Sequence, residues 1–186
     1  MIKTPVIRTV GHSNHAIERF VALLTAAGVK LLVDVRSMPY SRRFPHFGRE
    51  RLAKSLDEAG IAYQWEGEAL GGKPGHGGGY NDLAARPAFK DALGRLIERA
   101  DGTTLCLMCA EKEPLDCHRT VLVARRLAER GMAIEHLLAD GTARAHGEVE
   151  ETLLAKKAGA DLFDDRAQQL ARAYDARERA MKGRGA

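Results

Sequence analysis

The sequence predicts an α/β fold: a mainly parallel sheet with helices on both faces in a three-layer arrangement, followed by extra C-terminal helices. Three observations carry this. The runs "KLLVDV" and "TTLCLMC" are short and almost continuously apolar, as strands buried on both faces must be. Segments with helical spacing of apolar residues separate the runs. Glycine and proline punctuate the boundaries. Strand–helix alternation of this kind needs crossover connections and therefore parallel pairing.

In chain order, "PVIRTV" reads as the first strand, and "GHSN" turns the chain so that Ser13 or Asn14 caps a helix over "AIERFVALLTAAG". Gly28 ends that helix. "KLLVDV" is the second strand, followed by an irregular loop, "RSMPYSRRFPHF", with two prolines. "GRERLAKSLDEAG" is helical through Leu52 and Leu56, and "IAYQW" is a third strand. The seven glycines of "EGEALGGKPGHGGGY" argue against regular structure and suggest a lid or a backbone surface for a ligand. "RPAFKDALGRLIERADG" is a helix with proline near its start and glycine past its end. "TTLCLMC", the helix "CHRTVLVARRLAERG" and the strand "MAIEHLL" complete an α/β domain over residues 1–147. Residues 148–186 form a helical extension whose end should fray.

A chain of 186 residues suffices for one substantial core. No apolar run is long enough for a bilayer and the N-terminal stretch has no signal-peptide pattern, so a cytoplasmic protein with no membrane partner is expected. Three clustered cysteines suit a reducing compartment better than a disulfide framework. The net charge is +4, and between Arg36 and Arg51 five arginines face a single acid, Glu50, which points to an anionic partner. The chain from Asp161 onward mixes six basic with five acidic residues, as a solvated or interface helix does. Such helices suit a homodimer.

Polar residues gather where strands end: "GHS", "DVR", "CAEKEPLDCHR" and "EH". Ligands of open α/β sheets bind outside the carboxyl ends of strands, so these segments should share one pocket. Cys109 ends a strand, and Cys117 beside a helix N-terminus faces unpaired N–H groups that favour a thiolate. Both also fit the bland role of small buried hydrophobes, as does Cys106. Glu111, in a loop with no core duty, is the candidate proton carrier, with His118 and His12 beside it. Asp34 lies within an apolar strand and needs a partner such as Arg36, His12 or a backbone N–H group. Arg36, Arg42, Arg43, His12, His118 and Arg119 can surround an anion, and Ser13, Asp34 and Cys117 join the arginines as candidate ligand-binding residues. Tyr63 and Trp65 have the faces to stack on a base, although core packing suits them better.

Cys106, Cys109, Cys117 and His118 are ligand types suited to zinc. Residues three apart in a strand point to opposite faces, which argues against that set, and no metal is assigned. No phosphate-loop or dinucleotide motif appears, "GHGGG" having no strand–helix context, so no cofactor is assigned either.

The stretches "TVGHSNHAIERFVALLTAAGVKLLVDVRSMPYSRRFPHF", "LDEAGIAYQWEGEALGG" and "LCLMCAEKEPLDCHRTVLVARRLAERGMAIEHLLADG" resemble the family known as domain of unknown function 488, from about Thr9 to Gly141. The resemblance implies an α/β fold and a shared constellation at Gly11, His12, Ser13, Asp34, Arg36, Pro39, Leu70 to Gly72, Cys109, Glu111, Pro114, Cys117, His118 and Arg119. It implies no substrate. "LLVDVR" and "LCLMC" followed by a loop and "HR" are also similar to the rhodanese fold, which places Cys109 as a sulfurtransferase nucleophile. The three-layer fold is thus expected to be Rossmann-like or rhodanese-like. The Cys109–Arg119 loop is longer and more acidic than a rhodanese anion loop.

Three functions follow as expectations. The first is a hydrolase or transferase acting on a small phosphate-bearing anion, a nucleotide or nucleic-acid component. The second is rhodanese-like thiol or sulfur transfer through Cys109 or Cys117. The third is a non-catalytic nucleic-acid-binding module that uses the arginine-rich segment.

Overall fold

The computed structural model describes residues 5–73, 78–156 and 165–183. Its centre is a six-stranded sheet built from β1 (Val6–Gly11), β2 (Leu31–Asp34), β3 (Ala62–Trp65), β4 (Leu105–Cys109), β5 (Ala133–Leu137) and β6 (Ala143–Ala145). The strand order is β3-β2-β4-β1-β5-β6, with the first five strands mutually parallel and β6 antiparallel to β5. This differs from the 3-2-1-4-5-6 order of dinucleotide-binding sheets.

The most apolar run became the middle of the sheet. Every residue of β4 is buried. Because side chains alternate across a strand, Leu105, Leu107 and Cys109 join one core layer while Cys106 and Met108 join the other. Cys106 is therefore cut off from Cys109, and burial pushes its thiol up to about 12.

Crossover handedness sorts the helices. Connections from β1 to β2 and from β2 to β3 move one way along the sheet, and their helices α1 (Ile17–Ala26) and α2 (Arg49–Asp57) pack on the Cys106 face through Phe20, Leu24, Leu52 and Leu56. Two short helices, α3 (Gly67–Leu70) and α4 (Tyr80–Ala85), precede α5 (Pro87–Ala100). Connections from β3 to β4 and from β4 to β5 move the other way. They place α5 and the helix after β4 on the Cys109 face, through Phe89, Leu93, Leu96, Val121 and Leu127. That last helix is π-wound over Arg119–Ala124 and continues as α6 (Arg125–Ala128). The chain thus leaves β4 toward one face and leaves its neighbours β1 and β2 toward the other. A crevice at their carboxyl ends is the geometric result.

Two local expectations are corrected. Ser13 and Asn14 do not cap α1: the helix starts after Ala16 without a side-chain cap, and Ser13 takes φ 49° in the turn. The glycine-rich stretch contains α3 and leads into α4, because Ala69, Leu70, Tyr80 and Leu83 find core contacts that override glycine's poor propensity. The lid reading of that stretch falls partly on residues 74–77, outside the described residues. Strand β6 is an addition, and α7 (His146–Ala155) follows it directly. Val149 and Leu153 of α7, with Ala173 and Tyr174 of α8 (Arg166–Lys182), belong to the same core layer as β4. The expected fraying concerns residues 184–186, also outside the described residues. No helix among the described residues is long and apolar enough to cross a membrane.

Candidate functional site

Past their strand ends β1 and β4 stay side by side, with His12 N–H donating to the Cys109 carbonyl at 2.9 Å and Ser13 N–H to the Ala110 carbonyl at 2.9 Å. Gly11 allows this approach, since any Cβ there would collide with the Glu111 carbonyl. At the end of β2, Asp34 and Arg36 form a buried fork: Arg36 donates from Nε to Oδ1 at 2.9 Å and from Nη2 to Oδ2 at 2.6 Å. Tyr63 O–H donates to the same Oδ2 at 2.7 Å, and Trp65 Nε1–H donates to the Arg36 carbonyl at 2.9 Å. Those two aromatic rings serve the fork.

Arg36 also donates from Nη1 to His12 Nε2 at 3.2 Å, while His12 Nδ1 lies 2.9 Å from the Ser13 carbonyl. A guanidinium only donates and a carbonyl only accepts, so the ring is the neutral Nδ1–H tautomer. Burial and the Arg36 charge hold His12 down to about 4, and the ring stacks on Phe47 at 4.2 Å.

The loop after β4 is folded back by Arg119. Its fully buried guanidinium donates from Nη1 to the Glu111 carbonyl at 2.5 Å and from Nη2 to the Lys112 carbonyl at 3.1 Å. This clamp brings together residues distant in the loop. Cys109 Sγ lies 2.8 Å from Glu111 Oε2 and 3.5 Å from His118 Nδ1, and Cys117 Sγ lies 3.8 Å from the same Nδ1. The ligand-type atoms of Cys109, Cys117 and His118 all fall within 4.8 Å of one another. His118 Nε2–H donates to the Val35 carbonyl at 2.8 Å, and Arg119 N–H donates to Cys117 Sγ at 3.4 Å. Gly72 makes room for the imidazole, since a Cβ there would stand 2.5 Å from its Cγ.

The charges in this cluster are interdependent. Burial opposes ionisation of Cys109, yet a hydrogen bond with Cys117 and the cationic forms of His118 and Arg119 hold its thiol well below the usual range. Burial and the adjoining Cys109 push Cys117 well above it. Burial lowers His118, but the charge of Cys109 outweighs it and raises the imidazole overall. Burial and Cys109 also raise Glu111.

The cluster floors a pocket of about 1160 Å³ at the carboxyl ends of β1, β2 and β4. Of the residues expected at the site, His12, Ser13, Arg36, Arg43, Cys109, Glu111, Cys117 and His118 line it. Asp34 and Arg119 stand behind its wall as anchors, and Arg42 turns away to donate to Tyr40 Oη at 3.1 Å. Sequence reasoning missed Lys73, Lys112 and Tyr40 in irregular segments and Met181 and Lys182 at the end of α8. Lys112 and Tyr40 carried a legible signal, a cation or aromatic in a loop that follows a strand, whereas Lys73 follows α3. The α8 pair carried none, because only its docking brings it here: Arg177 donates to the Leu115 carbonyl at 2.6 Å and pairs with Asp116.

No curated protein and no solved structure matches the chain. The model of the family described as Domain of unknown function DUF488 matches residues 16–126, a span that contains the Asp34–Arg36 fork, Cys109, Glu111, Cys117, His118 and Arg119. With more than half of its length matched, this chain belongs to the DUF488 family.

Proposed function

We propose that this protein is an enzyme that takes a small phosphate-bearing ligand, a nucleotide or nucleic-acid component, into the strand-end pocket and carries out hydrolysis or group transfer there. The observation that carries the reading is the pairing of an ionisable floor with a cationic rim. Arg43, Lys73 and Lys112 line the pocket and make no ion pair among the described residues. Cations outside ion pairs at a pocket mouth attract anions and leave them bound close to the floor. Tyr40 and Met38, 51% and 54% exposed on the same rim, offer flat apolar surface for a base. Glu111 keeps solvent access and faces the pocket, which suits it to carry a proton between water and a leaving group. His12, with both ring nitrogens engaged, positions Arg36.

The test is a screen of nucleoside phosphates, sugar phosphates and short oligonucleotides for binding and for product formation, run on the wild type and on Glu111→Gln. The expected result is turnover of at least one phosphate-bearing compound, with kcat reduced by about 10²–10⁴-fold in Glu111→Gln. Full turnover in that variant removes Glu111 from the chemistry. Binding without turnover that depends on Arg42 and Arg43 alone makes the protein a nucleic-acid-binding module instead.

A second reading, sulfur transfer, is favoured by one contact, the 3.5 Å approach of Cys109 Sγ to His118 Nδ1, whose cationic form favours the thiolate. The Cys109 thiolate would attack the outer sulfur of a donor such as thiosulfate, forming an S–S bond as sulfite leaves with the electron pair of the broken bond. Mass spectrometry after incubation with thiosulfate then shows one added sulfur atom on Cys109. An unchanged mass rules it out.

A further inference from the structure

We propose that Cys109, Cys117 and His118 are the three protein ligands of a zinc ion whose fourth position opens into the pocket. The inference rests on the pocket being the active site only for what the ion does, and on geometry alone for its presence.

The triangle has the right size. A tetrahedral zinc with Zn–S of about 2.3 Å and Zn–N of about 2.0–2.1 Å separates each sulfur from the nitrogen by about 3.6 Å. The two distances here are 3.5 and 3.8 Å. The surroundings are also those of a metal site. His118 donates Nε2–H to the Val35 carbonyl, which fixes the ring and leaves Nδ1 directed at both sulfurs. The Arg119 N–H reaches Cys117 Sγ, the kind of donor that supports a metal-bound thiolate.

The donor set decides the metal. Two thiolates and one imidazole are too soft for magnesium or calcium and suit zinc. Three protein ligands with an open place is the catalytic pattern, whereas a structural zinc takes four. Cys106, the third cysteine, is excluded as a fourth ligand because it lies on the opposite face of β4. The objection raised by strand geometry therefore holds for Cys106 and does not reach the other three.

Glu111 supplies what the open position lacks. Its carboxylate is in contact with Cys109 and lines the pocket. In a hydrolysis it takes a proton from the zinc-bound water, and the hydroxide forms a bond to the electrophilic phosphorus or carbon of the substrate. The bond to the leaving group breaks with its electron pair, and Glu111 returns the proton to that group. No oxidant or reductant is needed.

The experiment uses the full chain, purified without a histidine tag or chelator, with metal content measured by plasma mass spectrometry. The expected result is about one zinc per chain, retained in Cys106→Ala and reduced by more than about tenfold in Cys117→Ser and His118→Ala. Should those variants misfold, cobalt(II) titration of the chelator-stripped wild type replaces them. A one-to-one endpoint with sulfur-to-cobalt charge transfer and intense tetrahedral bands is expected. A stripped wild type that takes up neither zinc nor cobalt overturns the proposal, as does zinc content unchanged by loss of Cys117. Turnover of a phosphate compound by metal-free protein overturns the catalytic role given to the ion while leaving the proposed function standing. Zinc bound at this site with no turnover of any phosphate compound does the reverse.

Discussion

Asp34 is fully buried, and its two carboxylate oxygens accept three hydrogen bonds from Arg36 and one from Tyr63. Arg36 in turn holds the Phe47 carbonyl at 2.8 Å and His12. A buried ion pair adds little net stability over an apolar pair, but half of one is costly, because the surviving charge has no solvent and no counter-charge. Asp34→Asn should therefore lower the unfolding free energy by about 3–5 kcal/mol, read as a shift in the urea midpoint. A loss below about 1 kcal/mol would show that the fork does not anchor the site. This interaction was legible in the sequence, since the partners are two residues apart and an acid inside an apolar strand demands one. The Cys109–Cys117–His118 convergence was not. Strand alternation correctly separates Cys106 from Cys109, but the path of the intervening loop depends on where the Arg119 guanidinium finds its carbonyls, which no spacing rule encodes.

At the scale of elements, a buried polar chain ties the sheet to the C-terminal helices. Thr9 on β1 meets His136 on β5 at 2.8 Å, His136 meets His146 of α7 at 2.9 Å, and Tyr174 of α8 meets His146 at 3.1 Å and Glu150 at 3.1 Å. Burial holds His146 down to about 4 and, with the neighbouring His146, holds His136 well below the usual histidine range. A base whose folded pKa is depressed binds its proton more tightly when unfolded, so its contribution to stability is complete above about 6.5 and is lost as pH falls towards 4. The expected outcome is a stability that declines between pH 6.5 and 4, by at most about 1.4 kcal/mol per pH unit for each such histidine. In His146→Gln the slope of urea-measured stability against pH should flatten by about one group's share. An unchanged slope would mean that His146 is not the group taking up the proton. The helices themselves were legible by periodicity, but their docking was not, because Tyr174 and His146 find each other only in three dimensions. Strand β6, three residues long, and α4, a six-residue helix, were too short to leave a pattern.

For the whole molecule, the modest net charge of +4 conceals a division between interior charges held by the Asp34–Arg36 pair and by main-chain carbonyls around Arg119, and a cationic pocket rim. Rim attraction is exposed to ions in solution, whereas the floor is not. Affinity for a phosphate-bearing ligand should therefore fall steadily as salt rises from 50 to about 300 mM, and Lys73→Ala combined with Lys112→Ala should flatten that dependence without changing the unfolding midpoint. Binding that is indifferent to salt would place the anion elsewhere. The alternation of buried runs and amphipathic segments was enough to read a three-layer α/β molecule. It could not order the strands, since several arrangements satisfy the same run of elements and only the packing of all of them selects one.

Arg119 grips the oxygens of the main chain at Glu111 and Lys112 and leaves their side chains untouched. The loop's shape is thus indifferent to the lettering it displays. A substitution at either position changes what the loop displays while the main-chain clamp beneath it stays in place, so variants there should fold as the parent chain does.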